Sequence, residues 1–147
     1  MNTRNLQRKE KVFFDTNVLI YQFDHASPAK QEQAVKLIGQ YILEGRAVIS
    51  SQVAQEFMNV ALKKFITKPS VEELRLMITD MLQPLCAHTP SFDFYRRALA
   101  LYALHGMSFY DTLIIQAAID LGCGTLYSED LQDGQQFGAL TVRNPFA

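Results

Sequence analysis

The chain has 147 residues, 48% of them hydrophobic and 20% charged, which is ordinary globular material without a signature of disorder. Its length fits one domain, and no apolar run approaches the roughly 20 residues of a membrane span; the opening MNTRNLQRKEK is polar and basic rather than signal-like. With 14 basic and 15 acidic side chains the net charge is −1, so no global basic field draws in nucleic acid, and any such binding is confined to local clusters.

Residues 1–10 read as a flexible basic arm and residues 11–147 as a single domain. KVFF is a short strand, and TNVLIYQF begins a helix. In ASPAKQEQAVKLIGQYILEG, Ser27 can cap, Pro28 suits the first helical position and Gly45 can close the end, with Ala34, Ile38, Tyr41 and Ile42 on one apolar face. AVIS is a second strand, and Ser50 or Ser51 caps the helix QVAQEFMNVALKKF, which buries Val53, Phe57, Val60 and Ala61. KPSVEELRLMITDML opens on a capping box from Ser70 to Glu73 and buries Val71, Leu74, Met77, Ile78 and Met81.

PLCA is a candidate third strand, and TPSFDFYRRALALYALHG a helix ending at Gly106. SFYDTLIIQAAIDLG sets Tyr110, Leu113, Ile114, Ala117, Ala118 and Leu121 on a single helical stripe, and TLYS and LTVRN supply the last two strands. Short strands that are apolar on both faces and separated by helices predict an α/β fold of three layers, with a central, mainly parallel sheet of four to five strands and helices on both faces. Cys86 and Cys123 lack metal-type spacing, which points to a reducing, cytoplasmic setting.

In such a sheet the polar residues at the carboxyl ends of strands converge on one edge, where open α/β sheets bind ligands. Asp15 ends the first strand. Glu56 lies on the polar stripe Gln52, Glu56, Asn59, Lys63, and Asp111 in the first turn of the striped helix; Asp130 and Asp133 follow TLYS. Each has a structural reading taken alone: Asp15 as a cap, Asp111 in a capping box with Ser108, Glu56 as a solvated charge, Asp130 and Asp133 as turn formers. Together they put several carboxylates on one edge. Two carboxylates about 4 Å apart repel by about 4 kcal/mol at an effective dielectric near 20, so the cluster takes up protons or binds a cation. All-oxygen ligands select Mg²⁺ or Mn²⁺.

The order Asp-Thr-Asn after a strand, a Glu on the third helix, FYDTLIIQAAIDLGCGTLYSEDLQDG and the closing NPF resemble PIN-domain ribonucleases, and the size resembles VapC-type toxins of type II toxin–antitoxin pairs. The resemblance covers about residues 11 to 146, with residues 62 to 104 agreeing only in helical pattern. It implies that Asp15, Glu56, Asp111 and Asp130 form the acidic metal site for one or two Mg²⁺ or Mn²⁺ ions, supported by Asn17 and Ser128. Asp130 is preferred to Asp133 because it stands two residues after Ser128, although the loop offers both.

The activity implied is metal-dependent hydrolysis of RNA phosphodiesters, leaving 5′-phosphate and 3′-hydroxyl ends and using none of His25, His88 and His105, which are expected at the surface or at helix ends. The partners implied are RNA, a homodimer mate, and an antitoxin that blocks the crevice and follows an apolar groove for which Met58, Met77 and Met81 are candidates. One rival is a PIN-like module that binds RNA or protein without cutting. Another is a phosphatase similar to haloacid dehalogenases, disfavoured because the residue two after Asp15 is Asn17 rather than a second Asp.

Overall fold

Val12, Phe13 and Phe14 form β1 (Val12–Phe14), all three buried, and this strand organises the sheet. The structure is a computed structural model that describes residues 10–147, so the basic arm expected over residues 1–10 lies, apart from Glu10, outside the described residues. β1 pairs in parallel with β2 (Ala47–Ser50) on one side and with β4 (Thr125–Tyr127) on the other. β3 (Cys86–His88) extends the sheet beside β2, and β6 (Leu140–Arg143) beside β4. A two-residue β5 (Gln136–Phe137) pairs antiparallel with β6 and completes the order β3-β2-β1-β4-β6-β5. The sheet is thus mainly parallel and flanked by helices, as the alternation of elements predicts. It has six strands instead of four to five, because β5 is too short to show any periodicity.

The chain steps outward from β1 through β2 to β3, then returns to lay β4 on the other flank of β1. Between β1 and β4 the direction of winding reverses, and a crevice opens beyond the carboxyl ends of these strands.

The helices follow from local signals. α1 (Thr16–Tyr21) starts directly after β1, with Asp15 as its cap. α2 (Pro28–Leu43) takes Pro28 in its first turn, but Ser27 makes no side-chain cap bond, and Ile42 is 47% exposed rather than part of the buried face. α3 (Ser51–Lys63) is capped by Ser50, whose Oγ accepts from the Val53 N–H at 3.3 Å. α4 (Val71–Met77) opens on the reciprocal Ser70–Glu73 capping box and runs on through a π-helical stretch (Ile78–Leu82) and a last α turn (Gln83–Leu85). Leu74 is buried there, whereas Val71 is 63% exposed. The continuing helix absorbs Pro84 and Leu85, so the third strand starts at Cys86 and not within PLCA.

α5 (Phe92–His105) is capped by Ser91 and ends on Gly106, whose φ of +64° suits glycine. α6 (Phe109–Asp120) packs against α5. The expected one-sided stripe on α6 is corrected: Thr112 to Ala118 are all buried, while Tyr110 at its head is 66% exposed. No single helix among the described residues is long and apolar enough to cross a membrane.

Candidate functional site

The crevice at the reversal point measures about 300 Å³, and Asp15, Asn17, Glu56, Asp111 and Asp130 all line it. Four segments of the chain deliver these acids. The end of β1 brings Asp15, the second turn of α3 brings Glu56, the first turn of α6 brings Asp111, and the loop after β4 brings Asp130.

Asp15 is 7% exposed and fully engaged. Its Oδ1 accepts from the Thr16 N–H at 2.7 Å and its Oδ2 from the Ser128 hydroxyl at 2.8 Å. Capping α1 is therefore part of its role, but a cap does not require a second bond from the segment that follows β4. Burial pushes the Asp15 carboxyl up to about 6; the Ser128 and Thr16 bonds oppose that rise, and the charges of Glu56 and Asp111 add to it. Ionised Asp15 thus places a costly negative charge in the crevice.

Ser128 is fully buried, and its Oγ also accepts from the Asp130 N–H at 3.2 Å and the Leu131 N–H at 3.4 Å. One hydroxyl therefore ties the acid at the end of β1 to the loop that carries the acid after β4. Asn17 braces the same loop, its Nδ2 donating to Asp130 Oδ2 at 2.8 Å and its Oδ1 accepting from the Glu129 N–H at 3.4 Å. Asp133 points elsewhere: its Oδ1 accepts from the Asn144 N–H at 2.8 Å and it does not line the crevice.

Thr16, which is not among the residues singled out from the sequence, donates its hydroxyl to Glu56 Oε1 at 2.7 Å. The signal was present in the triplet Asp-Thr-Asn, since a hydroxyl one residue past a strand-end acid projects over the same edge. Glu56 is half-buried and is therefore not merely a solvated charge. Gln52, on the same face of α3, donates to the Tyr110 carbonyl at 3.2 Å and so joins α3 to the start of α6. Ser108 caps α6 by accepting from the Asp111 N–H at 3.2 Å, yet among the described residues no donor bonds the Asp111 carboxylate, which leaves the reciprocal half of the capping box unmade.

The PIN domain family model matches residues 12–132. The chain belongs to this family. No curated protein matches it closely enough to count as a relative. PIN domains are generally nucleases that use divalent metal ions, and the donor set of this PIN domain suits one, because every candidate ligand is a carboxylate oxygen. Among the described residues, no three His, Cys, Asp or Glu side chains converge closely enough to enclose an ion as they stand. Glu56 accepts from Thr16 and Asp130 from Asn17, and each carboxylate keeps further lone pairs free to face a cation.

The histidines stand apart from this PIN crevice. His25 and His105 are exposed as expected, but His88 lies in β3 with its side chain 10% exposed and its ring 4.4 Å from that of Phe94. Of the three methionines considered for an apolar groove, Met77 lines one, whereas Met58 and Met81 pack against the core.

Proposed function

We propose that the protein is a Mg²⁺- or Mn²⁺-dependent endoribonuclease, and that it acts in the cytoplasm as the toxin of a toxin–antitoxin pair. The observation that carries the reading is the meeting of Asp15, Glu56, Asp111 and Asp130, from four separate segments, around one crevice of a PIN domain.

These four acids are the residues that hold one or two ions, with Asn17 and Ser128 supporting them. When bound, the ion supplies an activated water and a positive charge for the phosphate oxygens during in-line displacement. Ser128 and the Thr16 amide fix both oxygens of Asp15, Asn17 orients Asp130, and Thr16 holds Glu56 against the crevice wall. The crevice contains no histidine, so these residues offer no general-base pair for attack by the ribose 2′-hydroxyl. Asp133 has its carboxylate committed to the Asn144 amide, which favours Asp130 as the fourth acid.

The phosphatase alternative is disfavoured on this geometry, because the position two after Asp15 is an amide that braces Asp130 and cannot act as an acid. A module that binds without cutting is the second reading. A homodimer and an antitoxin whose segment covers the crevice follow from the toxin reading. The test is incubation of the purified chain with structured RNAs in Mg²⁺, Mn²⁺ or EDTA, mapping product ends. Metal-dependent cuts with 5′-phosphate and 3′-hydroxyl ends, lost in Asp15→Asn and Asp111→Asn, are expected; RNA binding without products favours the non-cutting module.

A further inference from the structure

A second cavity, of about 490 Å³, adjoins the acidic crevice and shares Ile20 and Val60 with it as common walls. Phe23 and Phe65 supply its aromatic surface, their rings stacked at 5.9 Å and 29°. Both rings pack on the fully buried Phe57, at 5.6 and 6.0 Å, so the core holds this surface in place. Ile66 stands at the mouth, 87% exposed, and Lys64 lines the rim.

The lining carries one lysine, Lys64, and one acid, Asp24, and further lysines lie beside it in the chain. Residues 57–71 contain Lys63, Lys64 and Lys68 and not one acid, and among the described residues none of these lysines forms an ion pair. Asp24, the acid that does line the cavity, turns its Oδ1 to the Ala26 N–H at 3.0 Å. Lys63 continues the polar stripe of α3 beyond Glu56 and Asn59, both of which line the acidic crevice. Seven residues of α-helix separate Glu56 from Lys63, about 10 Å of axial travel, so the stripe leads from the crevice to the lysines.

We infer that this cavity is a subsite for an unpaired nucleobase of the RNA substrate. The base lies against Phe23 and Phe65 while Lys63, Lys64 and Lys68 neutralise the adjoining phosphates. The aromatic faces accept any base, since each has a π-face, and the lysines provide the charge that the acidic crevice lacks. The substrate class rests on the ribonuclease reading, but binding can be measured apart from cleavage.

Fluorescence anisotropy of a labelled single-stranded RNA, titrated with the full chain in EDTA, tests the assignment. A ribose-phosphate strand of equal length without bases serves as a control of equal charge. Lys64→Gln weakens RNA binding about threefold to tenfold and lowers the salt slope by about 0.7, the loss of one phosphate contact to a single strand. Ile66→Glu, at an exposed position where a thermal melt checks that the fold is kept, weakens it at least tenfold. The strand without bases binds the wild-type chain about fivefold to a hundredfold more weakly than RNA, the range of base stacking on an aromatic side chain, and does not distinguish wild type from Ile66→Glu by as much as RNA does.

RNA affinity unchanged in both variants overturns the assignment, as does equal binding of the two strands. So does capture of a labelled amphipathic helical peptide that RNA fails to displace, which makes the cavity a protein-docking groove. RNA binding that depends on Lys64 and Ile66 without any cleavage in Mg²⁺ ends the nuclease reading and leaves the subsite standing. Metal-dependent cleavage with variant affinities unchanged does the reverse.

Discussion

Ser128 Oγ donates to Asp15 Oδ2 at 2.8 Å, joining two residues 113 positions apart in sequence. The same oxygen accepts two backbone amides of the loop that follows, so the end of β1 and the acid loop after β4 form one hydrogen-bonded unit. Ser128→Ala removes the donor and leaves a buried carboxylate with a weaker partner set. A hydrogen bond to a charged group contributes about 1.5–3 kcal/mol, so chemical denaturation at pH 7 in Mg²⁺ is expected to show a loss of that order. Cleavage should fall as well, with an increased metal requirement. A variant as stable and as active as wild type would show that the bond does not organise the site.

Asp15 predicts an unusual pH dependence for the metal-free protein. Its folded pKa of about 6 lies above the ordinary 3.8, so the native state holds the proton more tightly than the unfolded chain. Its contribution to stability is full below about pH 4 and is lost as pH rises through 6, a change of about 3 kcal/mol at 1.36 kcal/mol per pH unit. Asp15→Asn carries no such loss and should melt higher than wild type at pH 7 in EDTA. On the proposed reading Mg²⁺ binds the ionised form, so adding it should raise the melting temperature of wild type and close the gap. Identical pH profiles for the two proteins in EDTA count against the raised pKa.

Much of this arrangement was legible in the sequence, and the reasons are local. Asp15 follows an apolar triplet that reads only as a buried strand, and Asp111 follows a serine cap, so both acids could be placed on one sheet edge from pattern alone. What periodicity could not supply was pairing across the chain. The Thr16–Glu56 and Asn17–Asp130 bonds join residues 40 and 113 positions apart, so the Asp-Thr-Asn triplet places Thr16 and Asn17 at the edge but does not name their distant partners. The sequence pattern predicts a one-sided α6 because the residues off the stripe, Thr112, Ile115 and Gln116, include two polar types. Both polar side chains are buried with their bonds made locally, the Thr112 hydroxyl to the Ser108 carbonyl at 2.8 Å and the Gln116 amide to Asp120 at 2.9 Å.

The loop offers both Asp130 and Asp133, with Asp130 favoured by its place two residues after Ser128, and their surroundings give opposite expectations. Asp130→Asn keeps the backbone bond to Ser128 and loses a carboxylate from the crevice, so cleavage should drop at least a hundredfold with little change in melting temperature. The magnitude corresponds to about 2.7 kcal/mol of lost transition-state stabilisation. Asp133→Asn retains an oxygen for the Asn144 amide and should cleave within about threefold of wild type, a change of under 1 kcal/mol in the barrier. The reverse pattern, with Asp133 indispensable and Asp130 dispensable, would move the fourth acid to the other side of the loop.

The loop that carries Asp130 is also held from outside the crevice. Glu129 accepts from the Tyr21 hydroxyl and from Lys30 Nζ, both at 2.6 Å, and Tyr21 packs edge-on against Phe146 with ring centroids 4.9 Å apart. Although burial works to raise it, the Lys30 and Tyr21 bonds hold the Glu129 carboxyl below the ordinary glutamate range. Its contribution to stability is therefore present above the unfolded pKa and lost as pH falls through the lower folded one. Because Glu129 immediately precedes Asp130, the clamp positions the acid without touching the crevice. Glu129→Ala should lower kcat for RNA cleavage about threefold to tenfold and increase the Mg²⁺ concentration needed for half-maximal rate, while Glu129→Gln, which still accepts from Tyr21, recovers part of the loss. If both variants lose stability yet keep the wild-type Mg²⁺ dependence, the clamp supports the fold alone.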